Sequence, residues 1–282
     1  MPTPTLDLEA EYNNRVRVPD HPAIQSRWAE ISKSMRAAMP SGLDHAYGAR
    51  PRQRYDLFEP PGAGAGTPLV VYIHGGYWQR GERQDNAFVA REMLALGVSV
   101  AVVGYTLCPE ASVADIVEEI RLALKSIWEA TKRHPVVVGH SAGGHLTAAM
   151  LATDWSRVAG VPADLVRAGY AISGVFEVEP LVPTSLNAAL KLDAANARKL
   201  SPVSWPAPPK DRALVAAVGG DESQEFIRQS LDIAAVWSRA GVKAECVVVP
   251  GTNHFTIVDE LLRAESAMVS RIAGLARACA RT

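Results

Sequence analysis

The chain has 282 residues, of which 48% are hydrophobic and 21% charged, a balance typical of a globular protein with a sizeable core. Its formal net charge of −1 gives no reason to expect nucleic acid or an anionic membrane as a partner. Cys108, Cys246 and Cys279 are too few, and lack the C-x-x-C spacing, for a disulfide framework or a zinc site, so we expect no metal.

The N-terminal sequence MPTPTLDLEAEYNN has neither a basic start nor an apolar stretch, so it lacks the pattern of a signal peptide. No run of about 18 apolar residues occurs that would predict a transmembrane helix. We therefore expect a cytoplasmic protein without a membrane partner.

Residues 1–50 are mostly polar and are expected to form an N-terminal extension that covers the functional site. Apolar residues recur at helical spacing within this segment and predict a helix over residues 21–39. A strand over 52–60 and a loop over 60–68 are expected next.

From residue 69 onward, apolar strands alternate with amphipathic helices. The predicted strands span 69–74, 98–105, 135–140, 165–173, 212–220 and 243–251. The predicted helices span 84–97, 112–133, 142–153, 223–241 and 255–278. Ser112 and Asp115 have the spacing of a capping box for the second of these helices.

This alternation predicts a mostly parallel sheet with helices on both faces, because strands that are apolar throughout must be covered on both sides. The proline-rich segment 174–210 interrupts the alternation and is expected to be an insertion or lid. We expect residues 1–282 to form a single α/β domain.

A serine stands where the third strand of this series is expected to turn sharply into a helix. Residues 139–143 read Gly-His-Ser-Ala-Gly, the G-x-S-x-G pattern in which a strained turn exposes the serine oxygen. Glycine is expected at both flanks because side chains there would collide across the turn. Ser141 is the candidate nucleophile. The alternatives are an ordinary glycine-rich turn and a phosphate-binding loop, but neither the Walker nor the dinucleotide glycine pattern is present.

A serine nucleophile needs a base, and His145 and His254 are the histidines that follow Ser141 in the chain. His145 lies one turn into the helix after the serine and is expected to pack beneath it. His254 lies between the last strand and the last helix, where a loop can place an imidazole over the strand ends. We therefore expect His254 to be the base.

Asp221 and Glu222 follow the strand over 212–220, and either carboxylate could orient that imidazole. Adjacent loop residues generally point in different directions, so only one is expected to do so. The other is expected to cap, or to lie in the first turn of, the helix starting near Ser223.

The sequence IHGGYW, residues 73–78, follows the first strand of the series and suits an oxyanion hole. Gly75 and Gly76 would let the backbone approach a substrate carbonyl closely. We expect the N–H groups of Gly76 or Tyr77, together with that of Ala142, to stabilise a developing oxyanion.

The motifs HGGYW, GHSAGGHL and TNHF together resemble the α/β-hydrolase superfamily, and within it the kynurenine formamidase branch, which is related to hormone-sensitive-lipase-like esterases. The similarity runs from about Tyr55 to the C-terminus, and YNNRVRVPDHP, residues 12–22, resembles the N-terminal segment of that branch. In the G-x-x-D pattern of the branch, the fourth position counted from Gly219 is Glu222. The resemblance therefore favours Glu222 as the acid, with Asp221 as the alternative.

The resemblance implies an α/β-hydrolase fold and a serine hydrolase that cleaves an ester or aryl-formamide bond through an acyl-enzyme, without a cofactor. Trp78, Tyr105 and Phe176 are expected to line the substrate pocket. The alternatives are a short-chain carboxylesterase, a carbamate or lactone hydrolase, and a binding protein without catalysis, which a fluorophosphonate probe would not label at Ser141. The partner is then a small ester or amide, and the sequence is compatible with a monomer or a homo-oligomer.

Overall fold

The computed structural model of the protein describes residues 6–281. The expectations for the N-terminus fall partly on residues 1–5, which lie outside the described residues. No helix in the described part of the chain is both long enough and apolar enough to cross a membrane.

Eight strands form one sheet in the described chain, in the order β1-β2-β4-β3-β5-β6-β7-β8. Their bounds are β1 His45–Ala46, β2 Arg54–Phe58, β3 Leu69–Ile73, β4 Ser99–Val103, β5 Pro135–His140, β6 Ala168–Ile172, β7 Ala213–Gly219 and β8 Lys243–Val249. The first two strands are antiparallel to their neighbours, and the other six are parallel. The mostly parallel α/β-hydrolase sheet predicted from the sequence is therefore confirmed.

The helices lie on both faces of this sheet. The α-helices are α1 Leu8–Tyr12, α2 Asn14–Arg17, α3 His21–Ala38, α4 Ala90–Ala95, α5 Val113–Thr131, α6 Ala142–Ala152, α7 Asn187–Leu190, α8 Ala194–Lys199, α9 Gln224–Arg239 and α10 Ala267–Ala280. Short 3₁₀ helices span Pro40–Gly42, Arg83–Val89, Trp155–Arg157, Glu179–Leu181, Pro202–Ser204 and Thr256–Leu262.

Two hydrophobic cores, one on each face of the sheet, hold the layers together. In β3, Leu69, Val71 and Ile73 pack into the core beneath α5, α6 and α9, while Val70 and Tyr72 pack beneath α3 and α10. Each fully buried side chain of this size stabilises the fold by about 1.5–3 kcal/mol relative to an exposed one. An apolar run without alternation is therefore the sequence pattern of a strand covered on both faces.

Two predicted helices differ from the structure. Residues 84–97 are a 3₁₀ segment followed by the short α4, because the Phe88 N–H donates to Ser32 Oγ of α3 (3.0 Å) instead of to its own helix. Residues 255–278 are a 3₁₀ helix followed by α10, because the chain breaks before Ser266, whose Oγ caps α10 by accepting from Met268 N. The capping box of Ser112 and Asp115 is present at the start of α5 as predicted.

Candidate active site

Ser141 occupies the turn between β5 and α6, at the carboxyl end of the sheet. Its backbone has φ 56° and ψ −116°, a conformation that residues with a side chain rarely adopt. The Ser141 N–H donates to Ile172 O at the end of β6 over 2.8 Å, which ties the turn to the neighbouring strand. The sharp turn predicted at this serine is therefore present.

The glycines on either side of Ser141 are required by sterics. A Cβ added at Gly139 would lie 2.1 Å from Gly143 O, and one added at Gly143 would lie 2.0 Å from Ile73 O. Both obstructing atoms belong to the backbone of ordered elements, so they cannot move aside cheaply. The steric reason expected for the G-x-S-x-G pattern is confirmed.

The Ser141 side chain lines a cavity of about 360 Å³, which we call the Ser141 cavity. Ser141 Oγ is buried and has no hydrogen-bond partner among the described residues. A buried hydroxyl without a partner destabilises the fold, because it has lost its hydrogen bonds to water and the protein does not replace them. It is also available to a ligand that enters the cavity.

His254 lines the same cavity, and its imidazole is oriented by Glu222. Nδ1 lies 2.7 Å from Glu222 Oε2, and an ionised carboxylate can only accept, so Nδ1 carries the proton. Nε2 then presents its lone pair, as a proton acceptor must.

Glu222 is buried and surrounded by donors. Its Oε1 accepts from the Gly219 N–H over 2.7 Å and from the Ser173 hydroxyl, while Oε2 accepts from His254. These hydrogen bonds compensate a carboxylate that has little contact with water. They also fix the direction in which it faces the imidazole.

Asp221 is exposed and forms no side-chain hydrogen bond or ion pair within the described chain. Of the two adjacent carboxylates, the structure therefore pairs Glu222 with His254. The expectation that the remaining carboxylate caps the following helix was wrong. Ser223 is the N-cap of α9, and its Oγ accepts from Phe226 N. Asp221 lies two residues before the cap position, too early for its side chain to act there.

His140 and Phe226 both pack against the imidazole of His254. The His140 Nε2–H donates to His254 O over 2.8 Å, and the two rings lie 4.7 Å apart. The Phe226 ring lies 4.6 Å from that of His254. Burial lowers the pKa of His140 well below its usual value, so its ring stays neutral.

The loop after β3 runs alongside Ser141. A Cβ at Gly75 would lie 3.0 Å from Ser141 Cβ, and φ is 112° at Gly76 and 53° at Tyr77. The backbone N–H groups of Gly76, Tyr77 and Ala142 donate to no acceptor within residues 6–281. Three backbone donors without an acceptor therefore belong to the two segments next to Ser141, the loop after β3 and the start of α6.

Trp78, Tyr105 and Phe176 do not line the Ser141 cavity, in contrast to the expectation from the sequence. All three are fully buried, with Trp78 edge-on to His145 at 5.0 Å and Tyr105 stacked on His74 at 4.3 Å. Large aromatic side chains beside the central strands bury more apolar area in the core than at a cavity wall. His145 lies outside the cavity and is fully buried, and its Nε2–H donates to Leu200 O.

Residues near the N-terminus form one wall of the Ser141 cavity. They are Asn13, Asn14, Arg15, Gln25 and Trp28. The sequence predicts a covering segment here but singles out none of these residues as part of the site. The stretch YNNRVRVPDHP was the signal that could have identified the first three.

Hydrogen bonds tie the N-terminal segment to the loop after β3. Asn14 Nδ2 donates to the Tyr77 hydroxyl over 3.0 Å, and that hydroxyl donates to Tyr12 O. The Tyr12 hydroxyl donates to Glu225 Oε2 of α9 over 2.7 Å. The loop that carries the Gly76 and Tyr77 N–H groups is therefore braced by the N-terminal segment and, through Tyr12, by α9.

The segment predicted as a lid or insertion, 174–210, also reaches the cavity, through Ser185 and Leu186. The carboxylate of Glu9 accepts from both Ser185 N and Ser185 Oγ, each over 2.7 Å. Gln79 Nε2 donates to Leu186 O over 2.8 Å. These contacts join the segment to the N-terminal wall and to the loop after β3.

We expect the free energy of unfolding to fall steeply as the pH drops below about 6.5. Burial lowers the pKa of His74 and of His145 from 6.5 to about 4. Between these values the unfolded chain binds protons that the folded chain does not, so acid favours unfolding. At about 1.4 kcal/mol per pKa unit, each histidine accounts for roughly 3 kcal/mol by pH 4.

Urea unfolding at steps from pH 7.5 to 4 measures this loss. His145→Gln retains a donor to Leu200 O and should reduce the proton uptake on unfolding by about one. His45→Gln, which replaces a histidine at an exposed position, is the control. A free energy of unfolding that stays flat down to pH 5 would contradict the assignment of neutral buried imidazoles.

Residues 55–171 match the BD-FAE family. The chain is 30% identical over 251 residues to the kynurenine formamidase of Salmo salar, covering 83% of this chain and 85% of that protein. It is 29% identical over 260 residues to the kynurenine formamidase of Danio rerio, covering 84% and 88% of the two chains.

Among solved structures, one from Silicibacter sp. TM1040 named as a candidate thioesterase superposes with a TM-score of 0.86 at 30% identity. The match covers 95% of this chain and 99% of that one. A thermostable carboxylesterase from a metagenomic library superposes with a TM-score of 0.68 at 19% identity, covering 92% and 97%. The second likeness concerns the fold alone.

Proposed function

The chain belongs to the kynurenine formamidase family of α/β-hydrolases and is a hydrolase of the formamidase and esterase type; from that premise we propose that it hydrolyses an aryl-formamide bond through an acyl-enzyme formed on Ser141. The observation that carries the proposal is the unpartnered Ser141 Oγ in the same cavity as an imidazole oriented by a buried carboxylate. Nucleophile, base and orienting acid are the three groups that such a reaction needs.

In the proposed mechanism, Ser141 Oγ attacks the formyl carbon as His254 Nε2 takes its proton. The imidazolium is stabilised by Glu222 and then delivers the proton to the leaving aryl amine as the C–N bond breaks. Water, deprotonated by the same imidazole, attacks the formyl-serine and releases formate. The hydrogen bond of 2.7 Å from Nδ1 to Glu222 supports this assignment of roles.

The N–H groups of Gly76, Tyr77 and Ala142 are proposed to stabilise the oxyanion of each tetrahedral intermediate. Support comes from their lack of acceptors within the described residues and from the close approach of Gly75 to Ser141. Removal of one donor from such a group typically costs about a hundredfold to a thousandfold in kcat. Because the donors are backbone groups, two in the braced loop after β3 and one at the start of α6, they need no rearrangement as charge develops.

The preference for an aryl formamide over a simple ester is tested by side-by-side kinetics. We expect kcat/KM for N-formylkynurenine to exceed that for p-nitrophenyl acetate by at least about tenfold, since a family substrate draws on contacts remote from the reacting carbonyl. Formate release and p-nitrophenolate absorbance measure the two rates.

A higher kcat/KM for p-nitrophenyl acetate would instead assign the protein as a general short-chain carboxylesterase. The serine mechanism would stand in that case, because both substrates use the same acyl-enzyme chemistry. A fluorophosphonate probe should label the intact protein at Ser141, as located by peptide mapping, if it is either an aryl-formamidase or a carboxylesterase. A binding protein without catalysis would not be labelled there.

We also propose that the protein acts in the cytoplasm. The thiols of Cys108 and Cys246 are free, and burial raises the pKa of each to about 11. Unreactive free thiols of this kind suit a reducing compartment.

A further inference from the structure

Two arginines, Arg15 of α2 and Arg80 of the loop after β3, stand on the wall of the Ser141 cavity. Both side chains are exposed, whereas Ser141 is 2% exposed, so the arginines mark the open end of the cavity and the serine its buried end. In the described part of the chain, neither guanidinium lies within ion-pair distance of a carboxylate. Most arginines of this protein do have such a partner.

Arg15 is held in place without being neutralised. Its Nε donates to His21 Nε2 over 2.9 Å, while His21 Nδ1–H donates to Val18 O. The His21 ring in turn stacks on Phe255, another residue of the cavity wall, at 5.2 Å. The terminal nitrogens of Arg15 therefore remain available on a side chain whose direction is fixed.

The two arginines are near enough to repel each other. Burial, and then the positive charge of Arg80, lower the pKa of Arg15. Two acidic residues also line the cavity: Glu82, which is paired with Arg52, and Asp85, which has no ion pair among the described residues. The cavity lining thus carries two unneutralised cations and one unneutralised anion, and an entering carboxylate would relieve the repulsion between the arginines.

We propose that Arg15 and Arg80 bind a carboxylate carried by the leaving group of the substrate. This assignment rests on the proposed function, in which the acyl group at Ser141 is a formyl group and the rest of the molecule extends toward the open end. A guanidinium fork binds both oxygens of a carboxylate in a fixed geometry, which a neutral side chain cannot match. The pair therefore selects substrates by a group remote from the bond that is cleaved.

The test compares two formanilides that share one reacting centre. One carries an ortho acetyl group, and in the other this acetyl is extended to a ketone chain that ends in a carboxylate. Neither compound contains an ammonium group, so neither can form an ion pair with Asp85. The measured quantity is the ratio of kcat/KM for the anionic compound to kcat/KM for the neutral one.

We expect the wild-type protein to prefer the anionic compound, and Arg80→Gln to lower that preference about tenfold or more, the usual effect of losing one charge-assisted hydrogen bond. Arg15→Gln should lower it similarly. Arg17→Gln is the matched control, because Arg17 is an exposed arginine on the same helix that lies outside the cavity. Raising the salt concentration should reduce the wild-type preference, since the arginines lie at the open end.

If Arg15→Gln perturbs folding, Arg80→Gln alone tests the carboxylate assignment. The Arg80 side chain forms no hydrogen bond in the described chain, so its replacement breaks no contact that supports the fold. An unchanged preference in Arg80→Gln, or a wild-type protein that cleaves both compounds equally, would overturn the assignment and leave the proposed function intact. A wild-type protein that cleaves neither compound would overturn both.

Discussion

Replacing Ser141 with alanine is expected to lower kcat for formamide hydrolysis by about a million-fold, the effect of removing the nucleophile from a serine hydrolase. The loss is large because no other group in the Ser141 cavity can form the acyl intermediate under the proposed mechanism. The fold should survive, since the Ser141 Oγ forms no hydrogen bond among the described residues. Steady-state kinetics and thermal unfolding measure the two effects on one preparation.

Ser230→Ala is the matched control for this variant. Ser230 lies on α9, is fully buried, and also has an Oγ without a hydrogen-bond partner in the described chain, but it lies outside the cavity. We expect this variant to retain full activity. Formamide hydrolysis by Ser141→Ala within about tenfold of the wild-type rate would refute the acyl-enzyme mechanism.

The sequence predicted the central strands and the geometry around Ser141 because each depends on local pattern. The strands are apolar runs buried on both faces, and Gly139 and Gly143 are required by backbone contacts that any such turn creates. The position of His254 followed from chain order and from the convergence of loops at one edge of a parallel sheet. These features are determined by local sequence and chain order, and depend little on packing elsewhere in the structure.

Features that depend on long-range contacts were not predictable in the same way. Phe88 leaves the α-helical pattern because its N–H meets Ser32 on another helix, a contact that no local window contains. Trp78 and Phe176 have the composition of a substrate pocket but lie in the core, because burial is set by the packing of distant elements. Arg15 lies at the cavity beside Asn14, whose side chain is tied to the distant loop after β3.

Replacing Glu222 with glutamine is expected to lower kcat about ten-thousandfold, as does loss of the orienting carboxylate in other serine hydrolases. Glu222 Oε1 accepts from Gly219 N and Ser173, so a glutamine would place its oxygen there and its NH₂ group against His254 Nδ1. Nδ1 would then have to accept, the proton would move to Nε2, and the imidazole could not take a proton from Ser141.

Asp221→Asn provides the comparison that separates the two adjacent carboxylates. Asp221 is exposed and forms no side-chain contact with polar partners in the described chain, so this variant should keep kcat within about twofold of the wild type. The two variants remove the same charge from neighbouring positions, and a general electrostatic effect on the cavity would therefore lower both rates. If Asp221→Asn lost activity and Glu222→Gln kept it, the orienting acid would be Asp221. The hydrogen bond between His254 and Glu222 would then not be part of the catalytically active conformation.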